Sequence, residues 1–136
     1  MTTSQQETKY CLESNFIINL LNGKDEAVKV FEEIKNSTLC ITAIASVTLF
    51  EILRGKEKNQ EKVARFESLL IQLEVLPFGK REAEEASLIE KTLHQRGESI
   101  SSLDLLIGTT AKCFNTILVS NDRIFDKIDG LRVRTY

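Results

Sequence analysis

Thr116-Ile117-Leu118-Val119-Ser120-Asn121-Asp122 is the stretch on which the fold turns. Its first four residues, Thr116–Val119, form a β-branched, apolar run suited to a strand. The run from Cys113 to Asn121 carries no charge, and then Asp122 follows. The chain opens in the same way. Lys9–Leu12 is a short strand-like run, and Glu13 is the only charged residue from Tyr10 to Gly23. Two strands, each ending on an acid, suggest a sheet whose carboxyl edge does chemistry.

Working outward, apolar runs alternate with helical periodicity. Ser14 is a candidate cap for a helix through Leu21, stopped by Asn22-Gly23. Ala27, Val30, Phe31 and Ile34 define one face of a second helix. Leu39–Thr42 reads as a strand, and Ala43–Arg54 as a largely buried helix ending at Gly55. Val63, Phe66, Leu70 and Leu73 keep helical spacing, and Glu74–Leu76 is a brief strand before Pro77. Ala86, Ile89 and Leu93 mark a helix that Gly97 ends, and Ser101–Phe114 is another buried helix. A short helix over Asp122–Ile128 and a last strand at Leu131–Val133 complete the chain. Strands alternating with helices predict βαβ units and a parallel sheet covered on both faces. Residues 1–8 read as a flexible polar tail and 9–136 as a single domain, a length one core can serve.

Two further acids stand out by position. No charge occurs from Asn36 to Phe50, and Glu51 then lies between Phe50 and Ile52. Asp104 is the only charge from Ser99 to Ala111. A carboxylate near a core costs several kcal/mol unless it is balanced. If Glu13, Glu51, Asp104 and Asp122 meet, a divalent cation is the natural counter-charge, and hard oxygen ligands suit Mg²⁺ or Mn²⁺. Such a site can hold a phosphodiester and activate water without histidine. Local readings stand beside this one. Asp104 can form a capping box with Ser101, and Asp122 can cap the next helix. Glu51 can pair with Arg54, and Glu13 can favour a helix N-terminus. Ser14, Asn15, Ser120 and Asn121 are short polar neighbours that either orient carboxylates or make turns.

Composition narrows the field. A net charge of -2 argues against broad, backbone-driven nucleic-acid binding. His94 is the single histidine, so a two-histidine metal site is impossible and a Ser-His or Cys-His mechanism could use only that residue. Cys11, Cys40 and Cys113 lack zinc-site spacing and fit a reduced, cytoplasmic setting. No apolar run nears the ~20 residues that span a bilayer. Lys56, Lys58, Lys62 and Arg65 form a basic run that either meets RNA phosphates or is a solvated helix face. A phosphoacceptor or nucleotide-binding domain is disfavoured: Thr42 leads to Ala43, with no acid there, and no glycine-rich phosphate loop is present.

At these residues the sequence resembles the PIN-domain family, in particular the VapC-type toxins of prokaryotic toxin–antitoxin pairs. Leu12-Glu13-Ser14-Asn15 resembles the family's strand followed by Asp-Ser/Thr-Asn. Glu51-Ile52-Leu53-Arg54-Gly55 is similar to its Glu-Leu-x-x-Gly. Gly97–Ile100 with Asp104-Leu105-Leu106-Ile107-Gly108 resembles Gly-x-x-Ile and then Asp-x-x-Ile-Ala. Ser120-Asn121-Asp122 with Phe125, and then Gly130-Leu131-Arg132-Val133, resemble the closing pattern. The resemblance implies a three-layer α/β/α fold with a mostly parallel sheet of four to five strands. It implies a Mg²⁺- or Mn²⁺-dependent endoribonuclease using Glu13, Glu51, Asp104 and Asp122, a small antitoxin partner and a homodimer. The chain departs from the pattern at Glu13, where Asp is usual. One extra methylene can shift a ligand by about 1 Å and cost ~10²-fold in rate. The second expectation is therefore an impaired PIN-like RNA-binding or regulatory protein. Gly108 in place of Ala reads as a minor packing change.

Overall fold

The computed structural model describes residues 7–55 and 60–136. The order is β1 (Thr8–Leu12), α1 (Ser14–Leu21), α2 (Asp25–Lys35), β2 (Cys40–Ala45), α3 (Ser46–Arg54), α4 (Gln60–Ile71), β3 (Glu74–Leu76), α5 (Lys80–Gln95), α6 (Ser102–Cys113), β4 (Ile117–Val119), a 3-10 helix (Arg123–Lys127) and β5 (Arg132–Arg134). The five strands lie in the order β3-β2-β1-β4-β5. Every neighbouring pair is parallel. This is the expected α/β class, with five strands and no antiparallel member among the described residues.

Alternation along the strands builds the layers. Cys11, Ala43, Ala45 and Leu118 join one core with Leu93 of α5 and Ile107 of α6. Leu12, Ile44 and Val119, the intervening residues, join a second core with Phe16 of α1, Ile34 of α2 and Phe66 of α4. Successive side chains of a strand point to opposite faces, so the two cores lie on the two sides of the sheet. Val47 packs against the first core while Leu49 and Ile52 pack against the second, so α3 straddles both.

Several expected boundaries move; the last strand, for one, is Arg132–Arg134 rather than Leu131–Val133. Thr8, expected to belong to the tail, already pairs with Cys40 in β1; residues 1–6 lie outside the described residues. The strand expected to stop at Thr42 continues to Ala45, and the helix after it begins at Ser46 rather than Ala43. Alanine favours helix in isolation. Here Ala43 lies between Cys11 and Glu74 as a central-strand residue, and Ala45 pairs with Leu76. Pairing on both sides overrides the propensity. Lastly, Glu13 rather than Ser14 is the N-cap of α1, with extended backbone at φ -80 and ψ 160.

Gly108 is more constrained than a minor packing change. It is buried in α6, and an added Cβ would run into Cδ1 of Ile128 and lie 3.3 Å from Cδ1 of Phe125. Gly→Ala gains roughly 1 kcal/mol of helix propensity, but overpacking a filled core costs ~1–3 kcal/mol. Ile128, 2% exposed, has little room to turn away. We expect Gly108→Ala to lower urea-denaturation stability by about 1 kcal/mol, the difference of these terms. In an Ile128→Val background, which removes the colliding methyl, the same change becomes neutral or stabilising. A loss of equal size in both backgrounds would show that the collision is not the cause.

Candidate active site

The sheet order sets the site. From β1 the chain moves to β2 and β3 on one side, and it returns to β4 and β5 on the other. The crevice at such a reversal, beyond the carboxyl ends of the strands, is where open α/β sheets place ligands. Leu12 and Val119 are register partners at the ends of β1 and β4. The next residues are Glu13 and Ser120. Glu13 N–H still donates to Val119 carbonyl at 3.3 Å, extending the ladder by one bond and fixing both turns together.

Glu13 is 4% exposed. Its Oε2 accepts from Asn15 N–H and caps α1. Its Oε1 accepts from Ser120 Oγ at 3.3 Å. Ser120 Oγ in turn accepts from Asp122 N–H at 3.0 Å. Burial pushes the Glu13 carboxyl above its ordinary value, against the pull of its hydrogen bonds, and the Asp122 charge pushes it further. The two acids therefore lie within electrostatic reach of each other.

Glu51 comes from α3, and Ser14 Oγ donates to its Oε1 at 2.5 Å. That bond joins α3 to the first turn of α1, beside Glu13. Asp104 is on the first turn of α6, a helix that packs against α3 and β2. Ser101 Oγ donates to Asp104 Oδ2 at 2.8 Å and accepts from Asp104 N–H at 3.2 Å. Asp122 Oδ1 accepts from Ile124 N–H at 3.0 Å, capping the 3-10 helix. Glu13 and Asp122 each cap a helix through a side-chain oxygen. For Asp104 only half of the capping box occurs, since Ser101 Oγ accepts from its N–H while its own carboxylate meets the Ser101 hydroxyl rather than the Ser101 N–H.

The ion pair considered for Glu51 does not form. Arg54 stacks 5.0 Å over the Phe50 ring, and Arg123 reaches Asp126 at 3.8 Å. Among the described residues, none of Glu13, Glu51, Asp104 and Asp122 carries a salt bridge. Nor, among those residues, do three or more His, Cys, Asp or Glu side chains gather closely enough to hold a metal ion as they stand. The structure thus links Glu13 with Asp122, and Glu51 with α1 through Ser14, while Asp104 keeps its own serine. The donor chemistry still fits a hard divalent cation: four carboxylates and the Ser14 and Ser120 hydroxyls offer only oxygen. A buried Glu13 with no basic partner among the described residues is the local sign that positive charge is wanted there.

Of the neighbouring polar residues, Ser14 and Ser120 each donate to an acid. Asn15 serves Glu13 through its backbone. Asn121 faces elsewhere, bonding Tyr136 at both ends of its amide. Tyr136 is a residue that sequence reasoning passed over. Burial raises its phenol, and the Glu13 charge adds to the shift. A groove of about 470 Å³ opens beside Ser14, Asn15 and Glu51, with Ile18, Arg54 and Phe66 among its walls. Of the basic run, Lys56 and Lys58 lie outside the described residues. Cys11 is fully buried, its thiol pushed up to about 12 by burial, as suits a core residue rather than a nucleophile.

These features define a class: doubly wound parallel α/β proteins with carboxylates at a sheet reversal. Within that class the chain belongs to the PIN-domain family, whose model, described as PIN domain, matches residues 10–131. It is 27% identical over 132 residues to a tRNA(fMet)-specific endonuclease VapC of Shigella flexneri, covering 94% of this chain and 98% of the relative. It is 30% identical over 131 residues to Ribonuclease VapC2 of Rickettsia felis, covering 90% and 93%. A solved DNA-bound VapBC from Salmonella typhimurium matches with TM-score 0.81 and 27% identity, over 94% of this chain and 98% of that one. No helix among the described residues is long and apolar enough to cross a membrane.

The raised Glu13 carboxyl has a sign that can be worked out. The folded chain keeps this proton to higher pH than the unfolded chain does. Stability therefore falls as pH rises from the ordinary carboxylate range through Glu13's raised value. Glu13→Gln keeps an oxygen that accepts from Asn15 N–H but cannot ionise. We expect urea midpoints of the wild type to drop relative to Glu13→Gln across that interval. Parallel curves for the two proteins would mean that Glu13 ionises as freely as in water.

Proposed function

We propose that this chain is a divalent-metal-dependent endoribonuclease, the toxin of a toxin–antitoxin pair, acting as a single domain in the cytoplasm. One observation carries the reading: a buried glutamate at the sheet reversal shares its surroundings with Asp122, and no basic side chain among the described residues balances either. Residues Glu13, Glu51, Asp104 and Asp122 would hold Mg²⁺ or Mn²⁺. When bound, such an ion lowers the pKa of water and neutralises charge on a phosphodiester. The chain's own part is to position. Ser120 orients the Glu13 carboxylate, Ser14 orients Glu51, and Ser101 keeps Asp104 on the first turn of α6. The adjoining groove gives an RNA strand room to approach Glu51. RNA as substrate is supported by similarity to relatives named as a tRNA(fMet)-specific endonuclease and as a ribonuclease. A small antitoxin partner is supported by similarity to a chain of the solved DNA-bound VapBC from Salmonella typhimurium. A homodimer belongs to the same proposal.

A second reading has one observation in its favour. Glu13, where the family pattern has Asp, spends its longer side chain capping α1 and meeting Ser120. A carboxylate so engaged suits an impaired PIN-like RNA-binding or regulatory protein.

The two readings separate by assay. The nuclease reading expects RNA to be cut with added Mn²⁺ or Mg²⁺, cutting to stop in excess chelator, and Asp104→Asn to abolish it. Cutting that survives chelation would overturn it. If wild type is inactive and Glu13→Asp raises cutting by about 10²-fold, the size expected for a 1 Å realignment, the impaired reading is right. In addition, Mn²⁺ should raise the Tm of wild type more than that of Glu13→Gln.

A further inference from the structure

Two carboxylates that repel each other need something to hold their supports together. Glu13 stands on the arm formed by the end of β1 and the start of α1. Asp122 stands on the turn after β4. Beyond the sheet, two bonds join these arms directly: Glu13 N–H to the Val119 carbonyl at 3.3 Å, and Ser120 Oγ to Glu13 at 3.3 Å. Both distances are at the long end for hydrogen bonds.

Tyr136 supplies a second link. Its backbone N–H donates to Asn121 Oδ1 at 2.7 Å, and its carbonyl accepts from Asn121 Nδ2 at 2.8 Å. This two-bond clasp fixes the residue next to Asp122. At its other end, the Tyr136 phenol oxygen accepts from Asn19 Nδ2 of α1 at 2.7 Å. Its ring meets Phe16, also of α1, edge-on at 4.8 Å between centroids and 77° between planes. Phe16 is fully buried, so α1 offers a firm footing. One residue thus grips the helix that Glu13 caps and the turn that carries Asp122. Neighbouring strand β5 feeds this contact, since Ser120 N–H donates to Arg134 carbonyl at 3.0 Å.

We infer that Tyr136, clasped by Asn121 and anchored on Asn19 and Phe16, is a positioning residue that sets the separation of Glu13 and Asp122 and so tunes the affinity of the acidic site for its divalent cation. The inference rests on the metal-dependent reading above. Tyr136 donates no ligand in this role. It acts through the two supports, as groups around metal ligands commonly do, and removal of such groups costs ~10–100-fold in affinity.

Calorimetric titration of Mn²⁺ into the full chain without RNA tests this, alongside Tm and the Mn²⁺ and RNA dependence of cutting. Tyr136→Ala should weaken Mn²⁺ by about tenfold or more and raise the Mn²⁺ needed for half-maximal cutting, with the KM for RNA little changed. Tyr136→Phe keeps the ring on Phe16 and the clasp but loses the Asn19 bond, so it should fall between. Asn121→Ala breaks the clasp from the other side, and its combination with Tyr136→Ala should be no worse than the single changes. Unchanged Mn²⁺ affinity in folded Tyr136→Ala would overturn the inference, as would Tyr136→Ala and Asn121→Ala losses that simply add. Should Tyr136→Ala fail to fold, Tyr136→Phe and Asn121→Ala decide the matter by the same titration. A wild type that binds no Mn²⁺ and cuts nothing would instead sink the metal-dependent reading itself.

Discussion

The bond from Glu13 N–H to Val119 carbonyl carries the parallel ladder one step past the strands. Through it, an acid that follows β1 is set beside a turn that follows β4, although more than a hundred residues separate them. Everything proposed for this chain depends on that juxtaposition. The reversal of strand order opens the crevice. The ladder bond closes its floor, and burial makes the glutamate there expensive to ionise. A charge of opposite sign resolves the cost, and no lysine or arginine among the described residues supplies it.

The surrounding polar groups fall into two kinds. Serines touch the acids directly: Ser14 meets Glu51, Ser101 meets Asp104 and Ser120 meets Glu13. Hydroxyls can donate or accept by rotation, so they hold a carboxylate without adding charge. Asparagines act on the backbone or further away. Asn121 holds Tyr136, and Asn19 holds the phenol of the same residue. This division leaves the crevice negative while its walls stay tied to each other.

Much of this was readable from sequence because it is local. The strand at residues 116–119 declares itself through three β-branched residues and the absence of charge. Asp104 and its serine are three residues apart, as a capping box requires, and Ser101 does cap α6, though the Asp104 carboxylate returns to the serine hydroxyl and not to its N–H. Where legibility failed, a distant partner decided. Ala43–Ala45 looks helical until β1 and β3 pair with it. Ser14 looks like a helix cap, but its hydroxyl goes to Glu51, 37 residues away, and Glu13 takes the cap instead. Gly108 looks like a small loss of packing until Ile128 and Phe125 are seen against it. Tyr136 belongs to no periodic pattern, so nothing in the chain announces that it bridges α1 and the turn after β4. The four acids could be chosen by their isolation in apolar runs. Their mutual placement could not, since it follows from strand order and helix packing.

The most direct measurement is a crystal structure of the chain soaked with Mn²⁺, with the ion located by its anomalous scattering. Signal is expected at the sheet reversal, bonded by Glu13 and Asp122 oxygens, with Glu51 and Asp104 drawn towards it. Strong signal confined to other surface carboxylates, with that crevice bare at millimolar Mn²⁺, would rule out a cation held between these acids.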